Sequence, residues 1–137
     1  KLIEAAKQFG YLTDLESAPL QLEGMMTGSI DLLCRHQGRY YVVDYKTNHL
    51  GSAPSDYAAE ALTASIRHHQ YDLQYLLYCV AVKKILALRQ PKVPFEDLFG
   101  GVVYLFLRGM TGSPDGGVHF DPVPIALIEA LEAGLNS

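Results

Sequence analysis

Residues 28–51 read GSIDLLCRHQGRYYVVDYKTNHLG, and this stretch predicts a β-hairpin. Apolar and β-branched residues stand on both sides of Gln37 and Gly38, which is typical of two strands joined by a tight turn. We therefore expect strands over residues 25–35 and 39–47. The sequence therefore predicts an antiparallel pair of strands at the start of the sheet.

The predicted hairpin carries two carboxylates and a lysine within an apolar segment. Asp31 falls in the first strand, and Asp44 and Lys46 fall in the second, directly after the run Tyr-Tyr-Val-Val. Because strand side chains alternate between faces, Asp44 and Lys46 should project from the same side of the sheet. Buried charge is costly unless it is paired or bound to a metal, so these residues are candidates for a site.

Oxygen donors on adjacent strands suit a hard divalent cation. Asp31 and Asp44 can share one Mg²⁺, and the peptide carbonyl of Tyr45 is a further candidate ligand. Lys46 would either stabilise charge that develops on a phosphate or orient the attacking water, and we favour a charged lysine that acts electrostatically. The competing interpretation is structural: a salt bridge between Lys46 and one of the two aspartates.

Helical periodicity and turn formers define the other elements. The sequence predicts a helix over residues 1–9, a helix that starts at 55–56 and continues to 66, a longer helix over 69–88, an apolar strand over 101–107 and a closing helix over 125–135. The order α-β-β-α-α-β-α implies an α/β fold with a mixed sheet covered by helices, in a single domain over 1–137.

Composition excludes several classes of protein. The chain has 137 residues, of which 49% are hydrophobic and 19% charged, so it is not a disordered chain. It contains no apolar run long enough to span a bilayer, and we expect no secretory signal because Glu4, Lys7 and Gln8 interrupt residues 2–9. Cys34 and Cys79 fall inside predicted elements, which favours free thiols in the cytoplasm over a disulfide framework.

The net charge of −4 bears on how the chain meets a nucleic acid. Nonspecific affinity for DNA comes mostly from lysine and arginine, and an acidic chain has little of it. If the chain cuts DNA, we expect other parts of a larger machine to deliver the substrate. Because the sequence begins with Lys1, we also expect a fragment of a longer protein.

The long predicted helix carries a second polar group in the segment RHHQYDLQYLLYCVAV. Gln74 and Tyr78 stand four residues apart and share a face, and both can donate hydrogen bonds to phosphate oxygens. Packing in the core is an equally good interpretation for these two residues and the better one for Tyr75. His68 and His69 could line a path for DNA, although solvent-exposed histidines are the simpler interpretation.

With Asp31, the triplet Asp44-Tyr45-Lys46 and the spaced pair Gln74 and Tyr78 in this order, the chain resembles the PD-(D/E)XK nuclease superfamily. Within it, the hairpin, the RHHQYDLQYLLYCVAV segment and FGGVVYLFLRGM are similar to the RecB-like nuclease domains. The resemblance implies a restriction-endonuclease-like mixed β-sheet flanked by α-helices. It also implies Mg²⁺-dependent hydrolysis of DNA, of the exodeoxyribonuclease V type.

The resemblance assigns roles to the same residues. Asp31 and Asp44 would be metal ligands, Lys46 the catalytic lysine, and Gln74 and Tyr78 the accessory motif. It implies a C-terminal position in a helicase–nuclease that works with RecC and RecD in recombinational repair of double-strand breaks. RecB-like nucleases take a further ligand, a histidine, from an upstream helix, and residues 1–30 hold no histidine. We therefore expect the chain to start after that ligand and to cut DNA poorly by itself.

Two other functions compete with a DNA nuclease. The runner-up is a catalytically silent nuclease-fold module that binds DNA or partner subunits, which a complete set of charged hairpin residues disfavours. An RNA-directed or Cas4-like nuclease is the third option. The Cas4-like version is disfavoured because a chain with two cysteines cannot supply a four-cysteine iron–sulfur site.

Overall fold

The computed structural model describes residues 2–12, 32–110 and 116–135. Its helices are α1 (Leu2–Gln8), α2 (Ala59–His68), α3 (Tyr71–Arg89), the one-turn α4 (Phe95–Leu98) and α5 (Ile125–Leu135). Its strands are β1 (Leu32–His36), β2 (Arg39–Lys46), β3 (Phe99–Phe106) and β4 (Val118–Asp121). Single 3₁₀ turns cover Pro54–Tyr57 and Leu107–Gly109.

The strands of the described chain form one mixed sheet in the order β1-β2-β3-β4. The pairs β1–β2 and β3–β4 are antiparallel, whereas β2 and β3 are parallel. Parallel neighbours need a crossover connection, and here α2 and α3 supply it. The expected α/β fold, a mixed sheet flanked by helices, is confirmed.

The hairpin turn has the geometry that its sequence predicts. Gln37 and Gly38 both have positive φ, at 50° and 80°, and His36 pairs directly with Arg39. Two central residues with positive φ match the right-handed twist of the flanking strands, which is why glycine is favoured here. The part of the first predicted strand that precedes Leu32, including Asp31, lies outside the described residues.

Helix α3 is the central element of the core. Ten of its residues are buried, including Leu73 and Cys79 at 0% exposure, so it is enclosed by protein on most sides rather than amphipathic. It packs against α2, α4, α5 and strand β2. Gln70 adopts a left-handed conformation (φ 57°, ψ 33°) and separates α2 from α3. The helix ends at Arg89, two residues before Pro91, which cannot continue a helix.

The order predicted from the sequence omitted β4 and the single turn of α4. In β4 the usual placement of apolar side chains inward and polar side chains outward is reversed. Phe120 is 53% exposed, while His119 and Asp121 alternate with it and take part in contacts with buried side chains. A strand of four residues with polar side chains turned inward has no apolar alternation to detect.

The described part of the chain contains no helix with the length and apolar character needed to cross a bilayer. Its hydrophobic core instead collects side chains from all layers. The largest fully buried ones come from α2, α3, β3 and α5, among them Leu62, Leu76, Tyr104, Phe106 and Ile128. The core thus lies where α3 packs on the sheet, and the residues at the end of β2 stand at its edge.

Candidate active site

Asp44 and Lys46 lie on the same side of β2, as strand alternation predicts. Asp44 is 2% exposed, although it stands at the end of the strand. Its Oδ2 atom is 2.6 Å from Nζ of Lys46, whose side chain is 15% exposed. The salt bridge that the structural interpretation predicts between Lys46 and an aspartate is therefore present, with Asp44 as the partner.

Gln74 on α3 reaches the ion pair from above the sheet. The Lys46 ammonium donates a hydrogen bond to Oε1 of Gln74 at 3.4 Å, and the Tyr104 hydroxyl donates to the same oxygen at 2.7 Å. Tyr104 lies on β3, directly opposite Asp44 in the parallel ladder. One amide oxygen thus links β2, α3 and β3 at this point, which is where the sequence placed an accessory polar residue.

Two aromatic rings also face the lysine. Nζ of Lys46 is 4.0 Å from the ring centroid of Tyr71 and 5.3 Å from that of Tyr104. The Tyr71 hydroxyl accepts a hydrogen bond from Nδ2 of Asn48 at 3.1 Å. The ring of His69 stacks on the Tyr71 ring at a centroid distance of 5.1 Å and an angle of 21°.

The loop that follows Lys46 is held by contacts from three directions. Arg108 donates from Nε to the carbonyl of Thr47 at 2.6 Å, and the Leu50 amide donates to the Tyr57 hydroxyl at 3.1 Å. The bond from Asn48 to Tyr71 is the third. A loop fixed in this way restrains the strand end that carries Asp44 and Lys46.

The remaining predicted site residues have different surroundings. Tyr78 is 8% exposed and belongs to the hydrophobic core, one turn beyond Gln74, so a role beside Lys46 stays a prediction for it. The Tyr45 side chain points to the other face and is 48% exposed. The prediction for Asp31 lies outside the described residues. His68 and His69 are exposed at the α2–α3 junction, beside Tyr71.

A second polar cluster is centred on Asp121 of β4. Its two carboxylate oxygens accept hydrogen bonds from Tyr11 at 2.8 Å, from Tyr75 at 2.7 Å and from the Val123 amide at 2.9 Å. Burial, followed by the Asp121 charge, raises the pKa values of both tyrosines well above their usual range. These hydroxyls therefore stay protonated and act as donors.

A cavity of about 180 Å³ adjoins this cluster and is lined in part by Arg67, Asp72 and His119. Burial lowers the pKa of His119, and the nearby Asp121 opposes that shift. Its Nε2 atom is buried and has no hydrogen-bond partner among the described residues. The described residues contain no group of three or more acidic, histidine or cysteine side chains able to hold a metal ion, either here or beside Lys46.

The sequence of this chain matches a known protein family. The family model of the PD-(D/E)XK nuclease superfamily matches residues 3–135. The chain belongs to this superfamily. Asp44 and Lys46, which the resemblance predicts to be an acid and the lysine of the family motif, lie 2.6 Å apart at the end of β2.

Relatives of this PD-(D/E)XK nuclease domain share extensive sequence identity with it. The RecBCD enzyme subunit RecB of Haemophilus influenzae is 49% identical over 112 residues, which are 82% of the chain and 9% of that protein. RecB of Escherichia coli is 43% identical over 121 residues (85% and 10%), and RecB of Mycobacterium tuberculosis 45% over 119 residues (80% and 11%). The chain thus spans about a tenth of the length of these curated relatives.

Sequence reasoning missed Tyr71 and Tyr104 as neighbours of the lysine. A signal for Tyr71 was present, because it precedes Gln74 by three residues and so lies on the same face of α3. Tyr104 offered a weaker signal, a hydroxyl in the middle of an otherwise apolar strand. Its contact with Gln74 depends on the parallel pairing of β2 with β3, which no local pattern specifies.

Proposed function

We propose that the chain is a Mg²⁺-dependent nuclease domain that hydrolyses phosphodiester bonds of DNA. The observation that supports this most is the group at the end of β2. There a carboxylate at 2% exposure, a lysine ammonium and an amide oxygen lie within hydrogen-bond reach in a chain of the PD-(D/E)XK superfamily. An ordinary surface salt bridge is exposed to water, whereas this ion pair is buried, contacts Gln74 and is flanked by two tyrosines.

The donor atoms near Asp44 fit a hard cation. We propose Asp44, Asp31 and the carbonyl of Tyr45 as ligands, all of them oxygen donors, which Mg²⁺ prefers. Asp31 directly precedes Leu32, whose partner across the hairpin is Val43, the neighbour of Asp44. A cation held by these residues would supply Lewis-acid chemistry at the phosphate.

The chain's own residues would divide the remaining work. Lys46 carries a positive charge next to Asp44, where it stabilises negative charge on a phosphate oxygen. Gln74 holds the lysine from α3 and is itself fixed by Tyr104.

The setting of this activity is inferred from the relatives. Three of them are named as the RecB subunit of the RecBCD enzyme. We propose that this domain serves a protein of that kind in the bacterial cytoplasm, together with RecC and RecD subunits, in the processing of double-strand DNA ends during recombinational repair. The net charge of −4 suits a domain that receives DNA from other parts of an assembly.

A catalytically silent module is the second candidate. The closed Asp44–Lys46 ion pair favours it, since two charges that satisfy each other need no substrate. A module of this kind would bind DNA or partner subunits through the nuclease fold without cutting. Cleavage of DNA in the presence of Mg²⁺ distinguishes the nuclease from the silent module.

Removal of the metal should stop cleavage. We expect the full-length protein that carries this domain to degrade linear DNA in Mg²⁺ and to lose that activity completely in excess EDTA, with recovery when Mg²⁺ is restored. Release of acid-soluble nucleotides measures it. Undiminished cleavage in EDTA would exclude the metal-dependent mechanism, and DNA binding without cleavage in Mg²⁺ would establish the silent module.

Gln74→Ala should slow cleavage because the Lys46 ammonium loses a hydrogen-bond acceptor that places it. Loss of a hydrogen bond to a charged group costs about 1.5–3 kcal/mol, which corresponds to a decrease in kcat of roughly tenfold to a hundredfold. Gln90→Ala is the matched control. That glutamine follows α3 at its far end and donates to Tyr40 at 3.3 Å, so kcat should be unchanged. Equal rates for the two variants would remove Gln74 from the site.

A further inference from the structure

The Lys46 ammonium is enclosed by four groups, and two of them are aromatic faces. Asp44 lies at 2.6 Å and the Gln74 oxygen at 3.4 Å. The Tyr71 ring centroid lies at 4.0 Å and that of Tyr104 at 5.3 Å. Since an ammonium group has three donors and no acceptor, the carboxylate and the amide oxygen leave one side of it for the Tyr71 ring.

A cation within about 6 Å of a ring centroid is attracted to the negative face of the ring. This attraction is stronger where water is excluded, and the Lys46 side chain is only 15% exposed. Lysine also has a flexible four-carbon stem, so its charge stays at one place only when several neighbours define that place. Tyr71 at 4.0 Å is the nearer and better placed of the two rings.

Contacts on two sides fix the position of the Tyr71 ring. A side chain can position another only if its own position is fixed in this way. Its hydroxyl accepts the hydrogen bond from Asn48, two residues after Lys46, and its ring stacks on His69. The ring therefore cannot turn away without breaking contacts with both the strand end and the α2–α3 junction. The same contacts tie the orientation of the ring to the chain segment that carries the lysine.

We propose that Tyr71 is a positioning residue for Lys46, and that the face of its ring, together with Tyr104, fixes where the ammonium stands relative to Asp44. The proposal rests on the proposed function only in treating Lys46 as catalytic. The face of the ring positions the ammonium. The hydroxyl helps to orient the ring through Asn48 and does not act on the substrate.

Three substitutions in the full-length protein test this. Tyr71→Leu should lower kcat by roughly tenfold to a hundredfold, while KM for DNA changes by less than about twofold, because positioning acts on the chemical step. Tyr71→Phe keeps the ring and should retain kcat within about threefold. Tyr40→Leu is the control. This variant also removes a tyrosine ring that faces a cation, since Cζ of Arg35 lies 5.7 Å from the Tyr40 ring centroid. Tyr40 lies near the turn of the hairpin and not beside Lys46, so kcat should not change.

A measurement independent of activity uses the ring current. In the wild-type chain, the ε-methylene protons of Lys46 should resonate upfield of the usual lysine position, because the Nζ atom bonded to that methylene lies 4.0 Å from the Tyr71 ring centroid. Tyr71→Leu should remove most of this shift and Tyr71→Phe should keep it. An ordinary lysine shift in the wild-type chain would overturn the proposal even if every variant failed to fold.

The activities of the Lys46 and Tyr71 variants separate the positioning role of Tyr71 from the proposed function. If Lys46→Ala is inactive but Tyr71→Leu has wild-type kcat, the positioning role is wrong and the proposed function stands. If Tyr71→Phe is as slow as Tyr71→Leu, the hydroxyl acts and the role given to the ring is wrong. If Lys46→Ala cleaves normally, the catalytic role of Lys46 is wrong and its placement by Tyr71 has no effect on cleavage, although the ring-current shift still reports whether the Tyr71 ring faces the lysine.

Discussion

Asp44→Asn should reduce DNA cleavage by the full-length protein by roughly a thousandfold or more, equivalent to about 4 kcal/mol in the activation barrier. Asparagine preserves the shape of the side chain but removes the negative charge that a divalent cation requires. The fold should survive, since an amide oxygen can still accept a hydrogen bond from Lys46. Release of acid-soluble nucleotides gives the rate, and titration of Mg²⁺ by calorimetry should show weaker binding.

The control for this prediction is Asp97→Asn, which changes an exposed carboxylate on the single turn of α4. It should alter neither cleavage nor Mg²⁺ affinity. Wild-type cleavage by Asp44→Asn would leave the ion pair with Lys46 as a structural contact only. A variant that loses cleavage but binds Mg²⁺ with unchanged affinity would contradict the assignment of Asp44 as a ligand while keeping it in the site.

Lys46→Ala should abolish cleavage and also destabilise the domain, because it removes the ammonium that balances the Asp44 charge, which is buried at 2% exposure. Removing one member of a buried pair typically costs about 3–5 kcal/mol. We expect a loss of this size in the free energy of unfolding in urea. The double variant Asp44→Ala/Lys46→Ala should recover most of the stability, since the buried carboxylate is removed together with the ammonium, but none of the cleavage.

Lys83→Ala provides the comparison for stability. It breaks the more exposed ion pair with Glu132 at 2.9 Å, and such pairs contribute less than about 1 kcal/mol. If Lys46→Ala and Lys83→Ala cost the same, Asp44 must reach water or another partner when the lysine is absent. If the double variant is no more stable than Lys46→Ala, the buried charge of Asp44 is not the cause of the lost stability.

Local patterns in the sequence were sufficient for the hairpin and for the neighbourhood of Asp44 and Lys46. A two-residue turn has a strong signature, and the period of two in a strand assigns faces with no knowledge of the rest of the fold. The long helix that carries Gln74 was equally accessible, because its apolar spacing extends over several turns. These features depend on residues that are near one another in the sequence.

The features that sequence reasoning missed depend on pairing between distant segments. Tyr104 comes next to Gln74 only because β3 lies parallel to β2, and 30 positions in the chain separate the two residues. Strand β4 escaped notice because its polar side chains turn inward and Phe120 outward. The metal ligand predicted at Asp31 stays a prediction, since that residue lies outside the described part of the chain.

Asp121 has a consequence for the dynamics of the domain. Its carboxylate joins the segment after α1 through Tyr11, the central helix through Tyr75 and the start of the segment before α5 through Val123. Separation of β4 from the sheet must therefore break bonds to both of those tyrosines together. We therefore expect local opening at this edge to disturb the helix that carries Gln74 and Tyr71, although α3 ends almost thirty residues before β4 begins. Faster hydrogen exchange along α3 would then accompany the loss of β4 from the sheet.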